Sequence, residues 1–451
     1  MNFNSINKNS MRYFQFTLFF HLFSFSIQSQ SADSIIARLQ YINRAVVSKS
    51  CSGGSLPVIS NRAMNIFLAD KTGYLSESTD LSLFTNYVTL NSAEGRLTVN
   101  HNFQQATGID DPIKKLFSVG VSANIANSFA SGFLDKKFEN ELGLTLNYKW
   151  LSKVKTHCNN GHADLQKKQW MDALRAAIFY SLHIAIKEKE AAFKIAISRI
   201  DNPDVPGQSL DTATALVIKN FHENLEAEYA EKFALLQAEA LTQTNNFRLI
   251  TTGWTSLTAY VPLAFPTYSV ASSFVFPFSE KHPYALEIML SHTRIWESAK
   301  AGRLFFTLGS NLLFNNSKLS YGLDKITMGD YKNRGGTDTI HLAGLNNRPA
   351  YIGEYKTFIT PSLNARVVYF PPSSHVGVSF LLEKNFGQFN LLNGRFGIPI
   401  VLINSKKTPA VNIEFQVLFF DLGKKISADK KYNNKTAIGV NIGIPFSRLM
   451  F

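Results

Sequence analysis

The chain has 451 residues, Lys+Arg 46 and Asp+Glu 33, so its formal charge is 46 − 33 = +13. Hydrophobic residues make up 45%, aromatics 13% and charged residues only 18%, against roughly 25% charged in an average soluble domain. That balance excludes general disorder, two cysteines exclude a disulfide scaffold, and no window reaches the ~20 apolar residues of a spanning helix.

Lys8 and Arg12 open the chain, and a Phe-rich apolar stretch runs from Tyr13 to Ile27, broken by Gln15, His21 and Ser24. Small residues follow at Ser29, Ser31 and Ala32. Basic start, short apolar middle and small-residue end predict a secretory signal peptide over 1–32. Export places Cys51 and Cys158 in an oxidising compartment, where they are able to pair. Residues 33–80 read as an N-terminal segment: a plug, a periplasmic tail or one extra strand.

Period-two alternation then takes over. Strands are expected near 81–90, 96–103, 115–126 and 141–150. In the third, Phe117, Val119, Val121, Ala123 and Ile125 alternate with Ser118, Gly120, Ser122 and Asn124. In the fourth, Leu142, Leu144, Leu146, Tyr148 and Trp150 alternate with Gly143, Thr145, Asn147 and Lys149. Successive strand side chains point to opposite faces, so each segment has one apolar face and one polar or tiny one.

The period changes over 152–245. Leu174, Ile178, Leu182, Ile186, Phe193, Ile197 and Ile200 recur at helical spacing; Pro203, Pro206 and Gly207 break the run. Ile218, Phe221, Leu225, Tyr229, Phe233, Leu236 and Ala240 mark a second helix. The expectation is an inserted antiparallel α-helical hairpin. The first helix is apolar around much of its girth, so one stripe should meet its partner and another the barrel rim, a second protein or lipid headgroups.

Nine further strands are expected, near 247–261, 267–276, 284–296, 303–314, 357–370, 375–383, 389–403, 410–420 and 436–446. Their off-face residues are Gly, Asn, Ser and Thr more than Lys and Glu, and aromatics (Tyr148, Trp150, Phe370, Phe419, Phe420) cluster near strand ends. Those two features predict an antiparallel up-and-down transmembrane barrel, all-β in its wall, of about 12–14 strands over 81–451. A soluble exported β protein is the alternative. Thirteen strands is odd where even counts are the rule, which points to fourteen with an extra strand near Pro57 to Ala69, or to twelve without 81–90.

With the last strand running down to the periplasm, 262–266, 297–302, 371–374 and 404–409 become inner turns, and 315–356 and 421–435 outer loops. The segment 127–140 is then a long inner turn. Nine strands after the hairpin put it outside the cell; a count off by one puts it in the periplasm.

The end of the chain, Gly439-Val440-Asn441-Ile442-Gly443-Ile444-Pro445-Phe446-Ser447-Arg448-Leu449-Met450-Phe451, resembles the last strand of Gram-negative outer-membrane β-barrel proteins. The resemblance implies an outer-membrane location, contact with its lipid, and recognition of Phe446, Leu449 and Phe451 by the barrel-assembly machinery. The apolar set Ile438, Val440, Ile442, Ile444 and Phe446 is out of phase with Leu449 and Phe451, so Pro445 or a bulge near Arg448 must switch the phase.

Catalytic constellations are weak. His157, Cys158 and His162 share a loop, but zinc needs four ligands and no fourth is evident. Ser291 and His292 are adjacent on a strand and so face opposite ways, which prevents a nucleophile–base pair. Arg334-Gly335-Gly336 lacks the Lys-Ser/Thr of a phosphate loop. The reading is a non-enzyme without cofactor, metal or nucleic acid. By phase, Arg96, Lys149, Glu287, Arg366 and Glu414 face the lumen. The leading expectation is therefore a porin-like channel for small polar or anionic solutes. The alternative is an attachment or assembly component that uses the barrel as anchor and the hairpin to bind a protein partner.

Overall fold

The computed structural model describes residues 32–448 except 50–58, 76–84, 92–95, 105–109, 111, 125–141, 158–161, 201–209, 246, 264–267, 274–276, 283–285, 315–323, 330–346, 356, 388–389, 405–408 and 424–435. The expected signal peptide, Cys51, Cys158, Leu449, Phe451 and Arg334-Gly335-Gly336 lie outside the described residues.

Alternation becomes a closed wall. The strands before the insertion are β1 (Thr85–Asn91), β2 (Arg96–Gln104), β3 (Lys115–Asn124), β4 (Gly143–Leu151) and the short β5 (Lys155–His157). After it come β6 (Leu249–Pro262), β7 (Tyr268–Ala271), β8 (Ser279–Lys281), β9 (Glu287–Ser298) and β10 (Gly302–Leu313). The rest are β11 (Asp324–Gly329), β12 (Asn347–Ile352), β13 (Thr360–Phe370), β14 (Val378–Asn385), β15 (Leu392–Ile403), β16 (Pro409–Phe419) and β17 (Thr436–Arg448). Twelve of them pair antiparallel in the ring order β4-β3-β2-β1-β17-β16-β15-β14-β13-β10-β9-β6, and β4 pairs back onto β6 to close it. β5 prolongs β4 along the edge of β6, with Lys155 opposite Thr251.

Twelve, not fourteen, corrects the count at two places. The 267–276 stretch is not in the wall: β7 lies in a separate four-stranded sheet, order β11-β12-β7-β8, with β7 parallel to β12. Among the described residues of the region Pro57–Ala69 there is no strand, because Asn61–Thr72 is a helix. The 81–90 stretch, as β1, does join the wall by pairing with β17 and β2.

The new count re-sorts the connections. The rim that carries the start of β1 and the end of β17 is here the near rim; the opposite one is the far rim. The near rim has the turns 299–301, 371–377 and 404–408. Gly302, at φ +82, makes the first of these so short: a Cβ there would strike the Phe370 carbonyl. The far rim has the long connections 125–142, 263–286, 314–359 and 420–435 and the short ones 92–95 and 386–391. So 262–266 and 127–140, expected as inner turns, both belong to the far rim, and the anomaly of a long inner turn disappears.

The insertion consists of α3 (His162–Ile200) and α4 (Leu210–Thr244). It leaves the near rim after β5 and re-enters at β6, with eight wall strands to follow. An even remainder joins it to the barrel at the rim that carries the end of β17, the outcome expected for a strand count off by one. Two further helices precede the wall, α1 (Ala32–Lys49) and α2 (Asn61–Thr72).

Two compact units result: the described residues of Met1–Tyr41 with Phe179–Ala230, and of Ile42–Ile178 with Glu231–Phe451. The first is helical. Phe193 of α3 stacks on Phe221 of α4 with centroids 3.7 Å apart, and Lys189 Nζ donates to Glu228 at 2.8 Å, which fixes the pair as antiparallel. α1 buries Ile35, Ile36 and Leu39 in the same unit as Ile186, Leu225 and Tyr229. Arg38 reaches Glu226 at 2.6 Å and Asp33 pairs with Lys187. Within this unit α1 is thus a third helix beside the pair, a covering element the sequence reading had not assigned.

Candidate functional site

The second unit is inside-out. Val99, Val121, Leu290, Leu308, Leu363, Phe380, Phe396 and Phe415 are exposed on the outer face of the wall, while Thr98, Asn100, Asn147, Thr258, Ser291, Ser362, Asn412 and Asn441 are buried on the inner one. The bulge on β17 falls where Tyr87 pairs with Pro445 and Asn86 with Ser447, so Phe446 is the extra residue and the phase switches there. Outward aromatics gather toward the near rim (Phe103, Phe117, Trp150) and the far rim (Phe419, Phe420). Phe370 does not join them. It is even-numbered like Ser362 and Arg366 on β13, points inward and is 1% exposed.

The bore is packed. Lys149, Ser256 and Thr293 are 0% exposed and Glu414 1%, whereas side chains lining a water-filled passage stay accessible. Thr293 and Thr307 hydroxyls meet at 2.9 Å, and Asn147 Nδ2 donates to Thr258 Oγ1 at 2.8 Å. Glycines make room for larger groups: a Cβ on Gly397 would collide with Glu414 and Ser379, and one on Gly143 with the Tyr260 ring.

The five lumen candidates are distributed as follows. Arg366 Nη2 lies 3.5 Å from Glu414 Oε2, and Ser379 Oγ donates to Glu414 Oε1. Lys149 is buried opposite Ser256 and Leu116. Glu287 Oε1 accepts from Asn311 Nδ2 at 2.5 Å near the far rim. Arg96 is placed by its backbone, opposite Asn91 and Asn124. Of these, Arg366 and Glu414 are brought together. By register Arg303 and Arg395 also face inward, as do Glu297 and Glu383. Cations and carboxylates on the inner face are therefore nearly balanced, and the +13 of the whole chain does not concentrate there.

α2 closes the near end. Ser60 caps it by accepting from Ala63 N, and apolar residues surround it on all sides (Ala63, Met64, Ile66, Phe67, Leu68), as a fully enclosed helix requires. It belongs to one core with Tyr87, Leu116, Trp254, Ile295, Phe305, Val368, Phe370 and Val401 from the near-rim ends of the strands, and with Ala234, Ala238 and Leu241 of α4. Phe67 meets Phe247 edge-on at 5.8 Å.

Polar groups fasten both ends of this helix. Gln237 Oε1 accepts from Ser60 N at 3.0 Å, and Asp110 accepts from Arg62 N at 3.0 Å and from Asn61 Nδ2 at 2.9 Å. At the other end Arg303 grips Glu297 through Nε at 2.5 Å and Nη2 at 3.3 Å, and its guanidinium lies 4.0 Å from the Tyr74 ring centre. Tyr74 hydroxyl and His375 Nδ1 are 3.0 Å apart, and Asn412 Nδ2 donates to the carbonyls of Gly73 and Leu75. Lys71 Nζ stands 3.7 Å from Glu297 Oε1. Burial first, and the Arg303 charge second, push the Lys71 ammonium down to about 8.

No family model and no curated protein matches the chain. Among solved structures it is similar to the NanC porin, at 7% identity over 81% of this chain and 99% of that one, with a TM-score of 0.28. Two mutant forms of the Rh. blastica porin are similar at 8% identity over 80% of this chain and 99% of theirs, each with a TM-score of 0.20. The barrel stands on its own strand pairings, to which scores this low add no argument.

The other sequence candidates separate. Ser291 is buried and His292 exposed, on opposite faces; His292 Nδ1 meets Thr255 Oγ1 at 3.0 Å. His157 ends β5 and His162 begins α3. Among the described residues no three His, Cys, Asp or Glu side chains gather as a metal site. The latch of Lys71, Tyr74, Glu297, Arg303 and His375 escaped the sequence reading. Strand parity is a signal able to mark Arg303 and Glu297, but Lys71, Tyr74 and His375 sit at a helix end and in turns, where period says nothing.

Proposed function

We propose that this chain is an outer-membrane barrel with a shut bore, and that it serves as an anchor holding α3 and α4 on the periplasmic side as a partner-binding element. The observation that carries the reading is the burial of the lumen's polar side chains together with the enclosure of α2 among strand residues at the near rim. An apolar outer face, aromatic rims and a polar inner face fit hydrocarbon outside. Short near-rim turns and long far-rim connections favour a periplasmic near rim. Planar-bilayer recording of the full chain should then give no discrete conductance steps; stable steps in folded protein sink the closed-anchor reading. Photo-crosslinkers at the exposed Tyr180 and Leu216 should yield a discrete adduct in intact cells, and a bare ladder without one sinks the partner-binding part.

A channel is the second reading, favoured by the polar residues on the inner face of the wall. If α2 is a gate, Glu297→Gln should loosen Arg303 and Lys71 together and bring conductance steps to a silent barrel. Continued silence counts against it.

A further inference from the structure

The outer wall is not uniformly bulky. A cleft of about 660 Å³ crosses it over β9, β10, β13 and β14, walled by Leu290, Leu308, Leu363 and Leu382 and floored at Ala365. Its two ends are polar. Lys384, one residue from the far-rim end of β14, stands at the top, where its ammonium donates to Asn390 Oδ1. That acceptor is neutral, and the adjacent Glu383 faces the other side of the wall, so the positive charge is left uncompensated among the described residues. His292 stands at the foot, five positions in from Glu287 at the far-rim end of β9, with Nδ1 occupied by Thr255. Five strand residues in a tilted wall descend about 12 Å, close to one leaflet's share of the roughly 30 Å hydrocarbon core.

We propose that this cleft binds one phosphate-bearing lipid, with its headgroup phosphate on Lys384 Nζ and one acyl chain lying over Ala365 toward His292. The assignment rests on the membrane reading of the wall given above. Charge complementarity selects the occupant: a cation at headgroup height above an apolar track of leaflet depth suits an anionic amphiphile. A polar foot gives such a chain a natural end.

The probe is phosphatidylglycerol, offered with equal phosphatidylcholine in nanodiscs holding the full chain, and native mass spectrometry counts retained lipids. Wild type should keep one phosphatidylglycerol in preference to phosphatidylcholine. Lys384→Gln should reduce that preference about tenfold, the worth of one charge-assisted hydrogen bond. Ala365→Trp should expel the lipid by filling the floor. Both side chains point outward, and circular dichroism verifies that each variant is folded. Equal retention of the two lipids, or unchanged retention in Ala365→Trp, overturns the proposal. A dimer mass in wild type that Ala365→Trp abolishes also overturns it, in favour of a second copy as occupant. Vesicle flotation is run beside it: a chain that does not float loses the membrane reading itself, whereas one that floats without selective lipid loses only the cleft.

Discussion

Two residues show how differently a buried charge behaves inside this wall. Glu414 is 1% exposed and answered by Arg366 and Ser379, so removing it takes the carboxylate from beside a buried guanidinium. Glu414→Ala should cost about 3–5 kcal/mol of stability, while replacing both partners with apolar residues of similar volume should recover much of it. Urea titration of the single and double variants measures the difference. Lys71 is held less well. With its ammonium at about 8 in the folded chain against 10.5 free, the unfolded chain binds the extra proton between those values. Stability therefore rises with pH through that window, and below it the cost of burying the charge is fully present. Lys71→Met should remove the slope and stabilise the protein at neutral pH by at most about 3 kcal/mol. A variant that is flat in pH but no more stable would show that leaving Glu297 without the ammonium costs as much as burying Lys71.

Among the helices, α1 answers the apolar excess of α3. It places Ile35 and Leu39 in a unit whose α3 and α4 members bury Leu182, Ile186, Leu225 and Tyr229. Ile35→Asp buries an unpaired carboxylate there and should open the unit to limited proteolysis within α3 while leaving the barrel's heat-modified mobility unchanged. Protease resistance equal to wild type would mean α1 contributes no cover. The sequence made the need for a cover visible, since α3 has more apolar girth than one partner can bury. It did not reveal that α1 meets the need, because a helix so near an expected cleavage site carries no signal of its partner. α2 was opaque for a related reason. Its apolar residues, Ala63–Ala69 broken at Asn65, show no clear period, and such a short apolar run reads equally as a buried strand or an enclosed helix. Only Ser60, three residues before the amide it caps, distinguishes the two. The wall strands are legible because half-buried strands alternate; β7, four residues long, alternates too, so alternation alone does not separate it from the wall.

At the scale of the whole molecule a single strand decides which way the protein faces. Each wall strand crosses once, so withdrawing β7 from the wall reverses every connection before it, and the helical insertion moves from the far rim to the near one. The long connections 125–142, 263–286, 314–359 and 420–435 then all fall at one end, together with the short 92–95 and 386–391, while the other end carries short turns, 105–114 and the insertion. With Cys51 and Cys158 replaced by Ser, single cysteines at Glu280, Lys300 and Glu239 sample the far-rim sheet, a near-rim turn and the exposed side of α4. A membrane-impermeant maleimide added to intact cells should modify Glu280→Cys and spare Lys300→Cys and Glu239→Cys, and permeabilisation should make all three reactive. The joint protection of the last two is the informative part, because it ties the insertion to the same rim as the short turns. Labelling of Glu239→Cys together with Glu280→Cys in intact cells would return β7 to the wall and send the helices outside. Labelling of Lys300→Cys and Glu239→Cys with Glu280→Cys protected would keep the barrel and turn it over in the bilayer.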